Sequence, residues 1–129
     1  IMYAVEFSPR SMRDLISVSR SRKNIIPILA DARMPDTYAN QLEKVDLIYC
    51  DVAQPDQTEI LIRNAKIFLK KGAHIMIAIK ARSINVVIPP KQIFAQERQK
   101  LIAGNFQILE ELNLHPLEKD HAFFVAKAK

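Results

Sequence analysis

Met2-Tyr3-Ala4-Val5-Glu6-Phe7-Ser8-Pro9 decides how the fold reads, because an apolar run there ends in a carboxylate and turns at once into a helix start. Residues 2–7 read as a buried strand that delivers Glu6 to its C-terminal edge. Ser8 suits an N-cap and Pro9 the first helical position, and Met12, Leu15, Ile16 and Ser19 then recur on one face at helical spacing. Further strands downstream also lead to acids. Residues 25–29 form a second apolar run that leads to Asp31, with Pro27 marking an edge strand or one interrupted in its pairing. A loop with Pro35 and a short helical piece around 37–42 precede the clearest strand, residues 45–51, which ends in Asp51.

Apolar residues at Ile60, Leu61, Ala65, Phe68 and Leu69 predict a helix over 57–70, with Gly72 as its C-terminal stop. Residues 73–79 follow as a buried strand ending in Lys80. Beyond Pro89 and Pro90, a helix over 91–103 is buried through Ile93, Phe94, Leu101 and Ile102 and stops at Gly104. The tail differs in kind, since 106–114 and 121–127 are extended runs with no helix between them and should pair antiparallel. The order β-α-β-β-α-β-α-β-β predicts an open α/β sheet, mostly parallel, closed by an antiparallel hairpin.

Composition limits what this fold can carry. With 129 residues, no repeat and no low-complexity tract, the chain is expected to form one domain, 1–129. One cysteine and three scattered histidines exclude an internal disulfide and a thiolate zinc site, and no metal is expected. No apolar run approaches the roughly 18 residues of a membrane span. Cys50 suits a reducing interior, hence a cytoplasmic protein. The formal net charge of +5 favours a polyanionic partner, and Arg10, Arg13, Arg20, Arg22 and Lys23 lie close together, although a solvated helix face accounts for them equally well.

In open α/β sheets, ligands bind beyond the carboxyl ends of the strands. Four strands here place Glu6, Asp31, Asp51 and Lys80 there in succession. An acid at the end of the second strand of a dinucleotide-type fold accepts hydrogen bonds from ribose hydroxyls, the role expected for Glu6. Asp31 with Ala32 suits an adenine edge, and Phe7 offers it an apolar face. A nicotinamide oxidoreductase also uses such an acid, but it leaves Asp51 with Lys80 and the closing hairpin unexplained. The glycine-rich turn that usually precedes the acid by about twenty residues is not found, and both glycines present read as helix caps. The expectation is therefore a partial domain that begins at its acid-bearing second strand, with the first strand and glycine loop upstream. Such a sheet would expose unpaired edges.

Tyr3-Ala4-Val5-Glu6-Phe7-Ser8, Asp31-Ala32-Arg33, Asp51-Val52-Ala53-Gln54-Pro55, Ile79-Lys80-Ala81 and Asp120-His121-Ala122 resemble the fibrillarin family along the whole chain. The resemblance implies a Rossmann-like class I methyltransferase that uses S-adenosylmethionine to methylate the ribose 2′-hydroxyl of rRNA or tRNA. Box C/D guide RNA would choose the target, within a complex holding a Nop-domain scaffold protein and a kink-turn-binding ribosomal-protein homologue; a eukaryotic member would be nucleolar. It further implies that Glu6 and Phe7 contact the cofactor ribose and adenine, Asp31 and Ala32 the adenine edge, and Asp51, Val52, Ala53 and Gln54 the methionine moiety. Asp51 and Lys80 match the middle two of a Lys-Asp-Lys set around the target hydroxyl, His121 takes the fourth place, and the first lysine would lie upstream. Lys80 would stabilise the developing alkoxide and His121 would take the proton or contact RNA. Arg33, Lys80 and Arg82 are the expected RNA-backbone contacts. A non-catalytic piece that keeps a scaffold-binding or homodimer surface, or pairs with the missing N-terminal segment, is the alternative.

Overall fold

The computed structural model describes residues 1–129, which pack as two compact units, 1–43 and 44–129. In the first, β1 (Met2–Glu6) leads into α1 (Pro9–Ser21), followed by β2 (Ile25–Leu29) and a 3-10 helix (Pro35–Gln41). Ser8 caps α1 as its sequence predicts, its hydroxyl accepting from the Ser11 N–H at 3.3 Å. Met12 is the residue α1 buries fully, while Arg10, Arg13, Arg20, Arg22 and Lys23 are exposed. β1 and β2 pair in parallel, Glu6 opposite Leu29, so both strands finish at the same end. Pro27 lies in β2, whose sole partner is β1. An edge position tolerates the missing N–H.

The second unit contains β3 (Val45–Cys50), α2 (Gln57–Phe68), β4 (Leu69–Lys80), a single turn α3 (Ala81–Ile84), α4 (Pro90–Ala103), β5 (Phe106–Asn113) and β6 (His121–Ala128). Its sheet runs β3-β4-β6-β5, with β3 and β4 parallel and the β4-β6 and β6-β5 pairs antiparallel. Strand alternation sends Ile75, Ile77, Ile79, Ala122, Phe124 and Ala126 to one face, where all are buried. Leu61 and Ala65 of α2 and Ile93, Phe94 and Leu101 of α4 join them in one core cluster. Each large side chain removed from water there contributes roughly 1.5–3 kcal/mol.

Three features differ from what local sequence predicts. The strands form two sheets, β1-β2 and β3-β4-β6-β5, rather than one. Gly72 does not stop α2, which ends at Phe68. It lies inside β4 at a φ of +75°, where the register against β3 jumps from Val45↔Leu69 to Leu47↔His74. The extra residues form a bulge, and glycine adopts the left-handed backbone it needs without a Cβ penalty. Gly104 does close α4, but the left-handed residue there is Asn105, at a φ of 74°.

Candidate active site

In the first unit, the parallel register places Glu6 and the Asp31 turn at one end of the two-stranded sheet. Glu6 Oε1 accepts the Ser8 N–H at 3.0 Å, which leaves Oε2 able to accept from a ligand. Phe7 is 65% exposed and presents an open ring. Asp31 is committed elsewhere. Its Oδ1 accepts the Arg33 backbone N–H at 2.9 Å, and the Arg33 guanidinium spans both oxygens, with Nη2 at 2.8 Å from Oδ2. Hydrogen bonds from the Arg33 side chain, then from its backbone, hold the Asp31 carboxyl below its ordinary pKa. The predicted adenine contact and the predicted RNA contact are thus partners of each other, with Ala32 between them.

In the second unit, β3 delivers Asp51 and β4 delivers Lys80 to the same end of the sheet. Both are exposed, and no ion pair joins them. Antiparallel pairing sets Lys80 directly opposite His121, so the two side chains share one face of the sheet. Their Cβ atoms are therefore about 4.5–5.5 Å apart. His121 Nδ1 lies 2.7 Å from the Lys119 carbonyl, which can only accept, so Nδ1 carries the proton. Nε2 of the neutral ring then has a lone pair, and the nearest carboxylate oxygen, from Glu118, lies 3.9 Å away.

The loop after Asp51 is tight. The Gln54 N–H donates to the Val52 carbonyl at 2.8 Å, and the Gln57 N–H to the Gln54 carbonyl at 3.2 Å, so Ala53 sits on a turn held to the start of α2. Cys50, before it, is buried, and burial pushes its thiol above the ordinary pKa. Arg82 is part-buried. Its Nε meets Asp120 Oδ2 at 3.4 Å and its Nη1 donates to the Asn85 and Ile88 carbonyls at 3.2 and 3.1 Å. Of the three predicted RNA contacts, Lys80 is the one whose charged group the chain itself does not engage.

Sequence reasoning missed Gln57, a fully buried side chain beside the end of β4. A signal was available, since Gln57 shares its helical face with Ile60 and Leu61 and a polar residue at such a position needs a buried partner.

In each unit a parallel pair of strands ends together, beside Glu6 and the Asp31 turn in one and beside Asp51 and Lys80 in the other, the pattern of the α/β class that binds nucleotide-like ligands at strand carboxyl ends. The family follows from comparison: the Fibrillarin family model matches residues 1–129, and the chain belongs to that family. It is 58% identical over 125 residues to the fibrillarin-like rRNA/tRNA 2′-O-methyltransferase of Methanocaldococcus jannaschii, covering 97% of this chain and 54% of that protein. The fibrillarin of a fibrillarin/Nop5p complex superposes with a TM-score of 0.94 at 43% identity, over all of this chain and 61% of that one. Aeropyrum pernix fibrillarin, solved with natively bound S-adenosyl-L-methionine, gives 0.85 at 48% identity, over 96% of this chain and 54% of that one. The chain thus spans about half the length of the curated relatives it matches.

Proposed function

We propose that this chain carries the methyl-transfer chemistry of an S-adenosylmethionine-dependent RNA ribose 2′-O-methyltransferase, as part of a longer methyltransferase domain. The observation that supports it most is the β4-β6 register, which sets an exposed ammonium, Lys80, opposite an imidazole, His121, with a free Nε2 lone pair. A ribose hydroxyl is a weak nucleophile and needs both a positive neighbour and a proton acceptor.

Lys80 orients the 2′-hydroxyl and stabilises the negative charge that grows on its oxygen. Lys80 serves as an electrostatic partner rather than a base, and Asp51, at the same end of the sheet, adds a negative charge that helps orient it. His121 Nε2 takes the proton, while the Lys119 carbonyl fixes the ring and its tautomer.

The donor set of the first unit fits the nucleoside part of the cofactor. Glu6 Oε2 accepts from ribose hydroxyls, the Phe7 ring covers an adenine face, and the Asp31-Ala32 turn meets its edge, with Arg33 holding the Asp31 carboxylate in place. In the second unit, the resemblance assigns the loop of Asp51, Val52, Ala53 and Gln54 to the methionine moiety. When bound, the cofactor supplies the electrophilic methyl group. RNA-backbone contact falls to Lys80, with Arg33 and Arg82 shaping the surface through Asp31 and Asp120. A guide RNA selects the nucleotide and a Nop-domain protein and a kink-turn-binding protein present it, since no element here resembles a base-reading module.

Glu6→Gln in the full-length protein tests the cofactor assignment. Oε1 can still accept from Ser8, but the charged acceptor is lost, at about 1.5–3 kcal/mol for such hydrogen bonds. Calorimetry should show S-adenosylmethionine binding weakened by about 10- to 100-fold. Unaltered affinity would remove Glu6 from the site.

A further inference from the structure

Gln57 lies at the first turn of α2 and is 1% exposed. Its Nε2 donates to the Ala78 carbonyl at 2.8 Å, and its Oε1 accepts the Lys80 N–H at 3.4 Å. These two backbone groups stand on either side of Ile79. Pairing of β3 with β4 ends at Cys50↔Ile77, whereas β4 continues to Lys80 along β6. The Ala81 N–H turns toward β6, donating to the Asp120 carbonyl at 2.9 Å. Strand alternation therefore points the Ala78 carbonyl and the Lys80 N–H the other way, to the side β3 has vacated.

A residue on a parallel neighbour would serve that edge by donating to the carbonyl before Ile79 and accepting from the N–H after it. The Gln57 amide makes the same two bonds. We infer that Gln57 is a positioning residue for Lys80: its side chain replaces strand β3 at the end of β4. This lets the backbone at Asp51 leave the sheet for the 51–56 loop while β4 stays anchored to its last residue. Without that substitute, a buried carbonyl and a part-buried N–H would be left unpaired, or the strand end would shift and carry the lysine with it. The inference rests on the functional reading of Lys80 given above.

The test uses the full-length protein and two readouts. In Gln57→Ala, amide hydrogen exchange at Lys80 should accelerate by about 10-fold while Ile77 and Ile79 keep their protection. The single-turnover methyl-transfer rate should fall by about 10-fold with S-adenosylmethionine affinity unchanged, as expected when a group is misplaced rather than removed. Gln57→Glu adds a signature that a merely structural role does not produce. Its protonated form can donate to the Ala78 carbonyl and its carboxylate cannot, so the variant's transfer rate relative to wild type at the same pH should rise toward acid pH and fall above the carboxyl's titration. Gln57→Leu, of similar volume, serves if the alanine variant does not fold and should match its rate loss. Unchanged Lys80 exchange, or faster exchange with unchanged transfer, overturns the inference. A wild-type protein that transfers no methyl group to guided RNA would overturn the functional reading instead, and the exchange measurement would still decide the clamp.

Discussion

Asp51→Ala in the full-length protein is expected to abolish methyl transfer, lowering the single-turnover rate by at least about 10³-fold, equivalent to about 4 kcal/mol of transition-state stabilisation. The carboxylate sits where β3 ends, at the start of the loop that runs to α2, and with Lys80 it is proposed to border the reacting hydroxyl. Stability should barely change. Asp51 is exposed and forms no hydrogen bond or ion pair within the chain, and such surface positions usually change stability by no more than about 0.5 kcal/mol. A rate assay paired with a urea melt separates the two effects. Unchanged turnover in a folded variant would remove Asp51 from the chemistry.

The second large effect concerns stability. Glu97 of α4 is 1% exposed, its Oε1 accepts the buried Thr58 hydroxyl of α2 at 2.8 Å, and Lys100 Nζ lies 2.7 Å from its Oε2. Lys100 also meets Glu59 at 2.8 Å, so one ammonium serves two carboxylates at the α2-α4 seam. Removing it leaves a buried charge without its counterion. Breaking such a pair costs roughly 3–5 kcal/mol, and Lys100→Ala should fall at the low end because Lys100 is partly exposed. Glu97→Gln keeps the Thr58 bond and should cost far less, and adding it to Lys100→Ala should restore part of the loss. The urea midpoints of the three variants check this.

The same cluster sets a pH dependence whose sign can be worked out. Burial, the largest single influence, would raise the Glu59 carboxyl, but the hydrogen bond from Lys100, a backbone hydrogen bond and the charges of Lys100 and Arg63 together outweigh it and hold the group below its ordinary pKa. A carboxyl lowered on folding stabilises above its unfolded pKa, and that contribution disappears as pH falls through the folded one. The loss belongs below about pH 4.3. Burial would lower Lys100, yet its contacts with Glu59 and Glu97 prevail and raise it. Its contribution is complete below about pH 10.4 and is lost as pH rises through the higher folded value. Lys100→Ala should flatten both limbs.

The regular elements were legible because they follow from short-range periodicity. Ser8 and Pro9 begin α1, and the alternating isoleucines of β4 run as a strand into Lys80. Gly72 was misread for a physical reason: a glycine just past a helical run has the same local signature whether it ends the helix or bends the next strand. Strand ends bearing Glu6, Asp31, Asp51 and Lys80 were visible in order along the chain. Their bonding was not, because it depends on residues brought together by the fold. Arg82 finds Asp120 across 38 positions and Gln57 reaches Ala78 across 21, separations no periodic pattern encodes. The Asp31-Arg33 pair is local, and its i, i+2 spacing in a turn was open to recognition.

One measurement bears most directly on the proposed chemistry. The full-length protein, assembled with a box C/D guide RNA, a Nop-domain protein and a kink-turn-binding protein, is given S-adenosylmethionine labelled in its methyl group, and the target RNA is digested to nucleosides. The label should reside on the ribose 2′-oxygen of the single guide-specified nucleotide, and Lys80→Ala should remove it while cofactor binding persists. Label on a base, or full labelling by the Lys80→Ala protein, would contradict the site described for this chain.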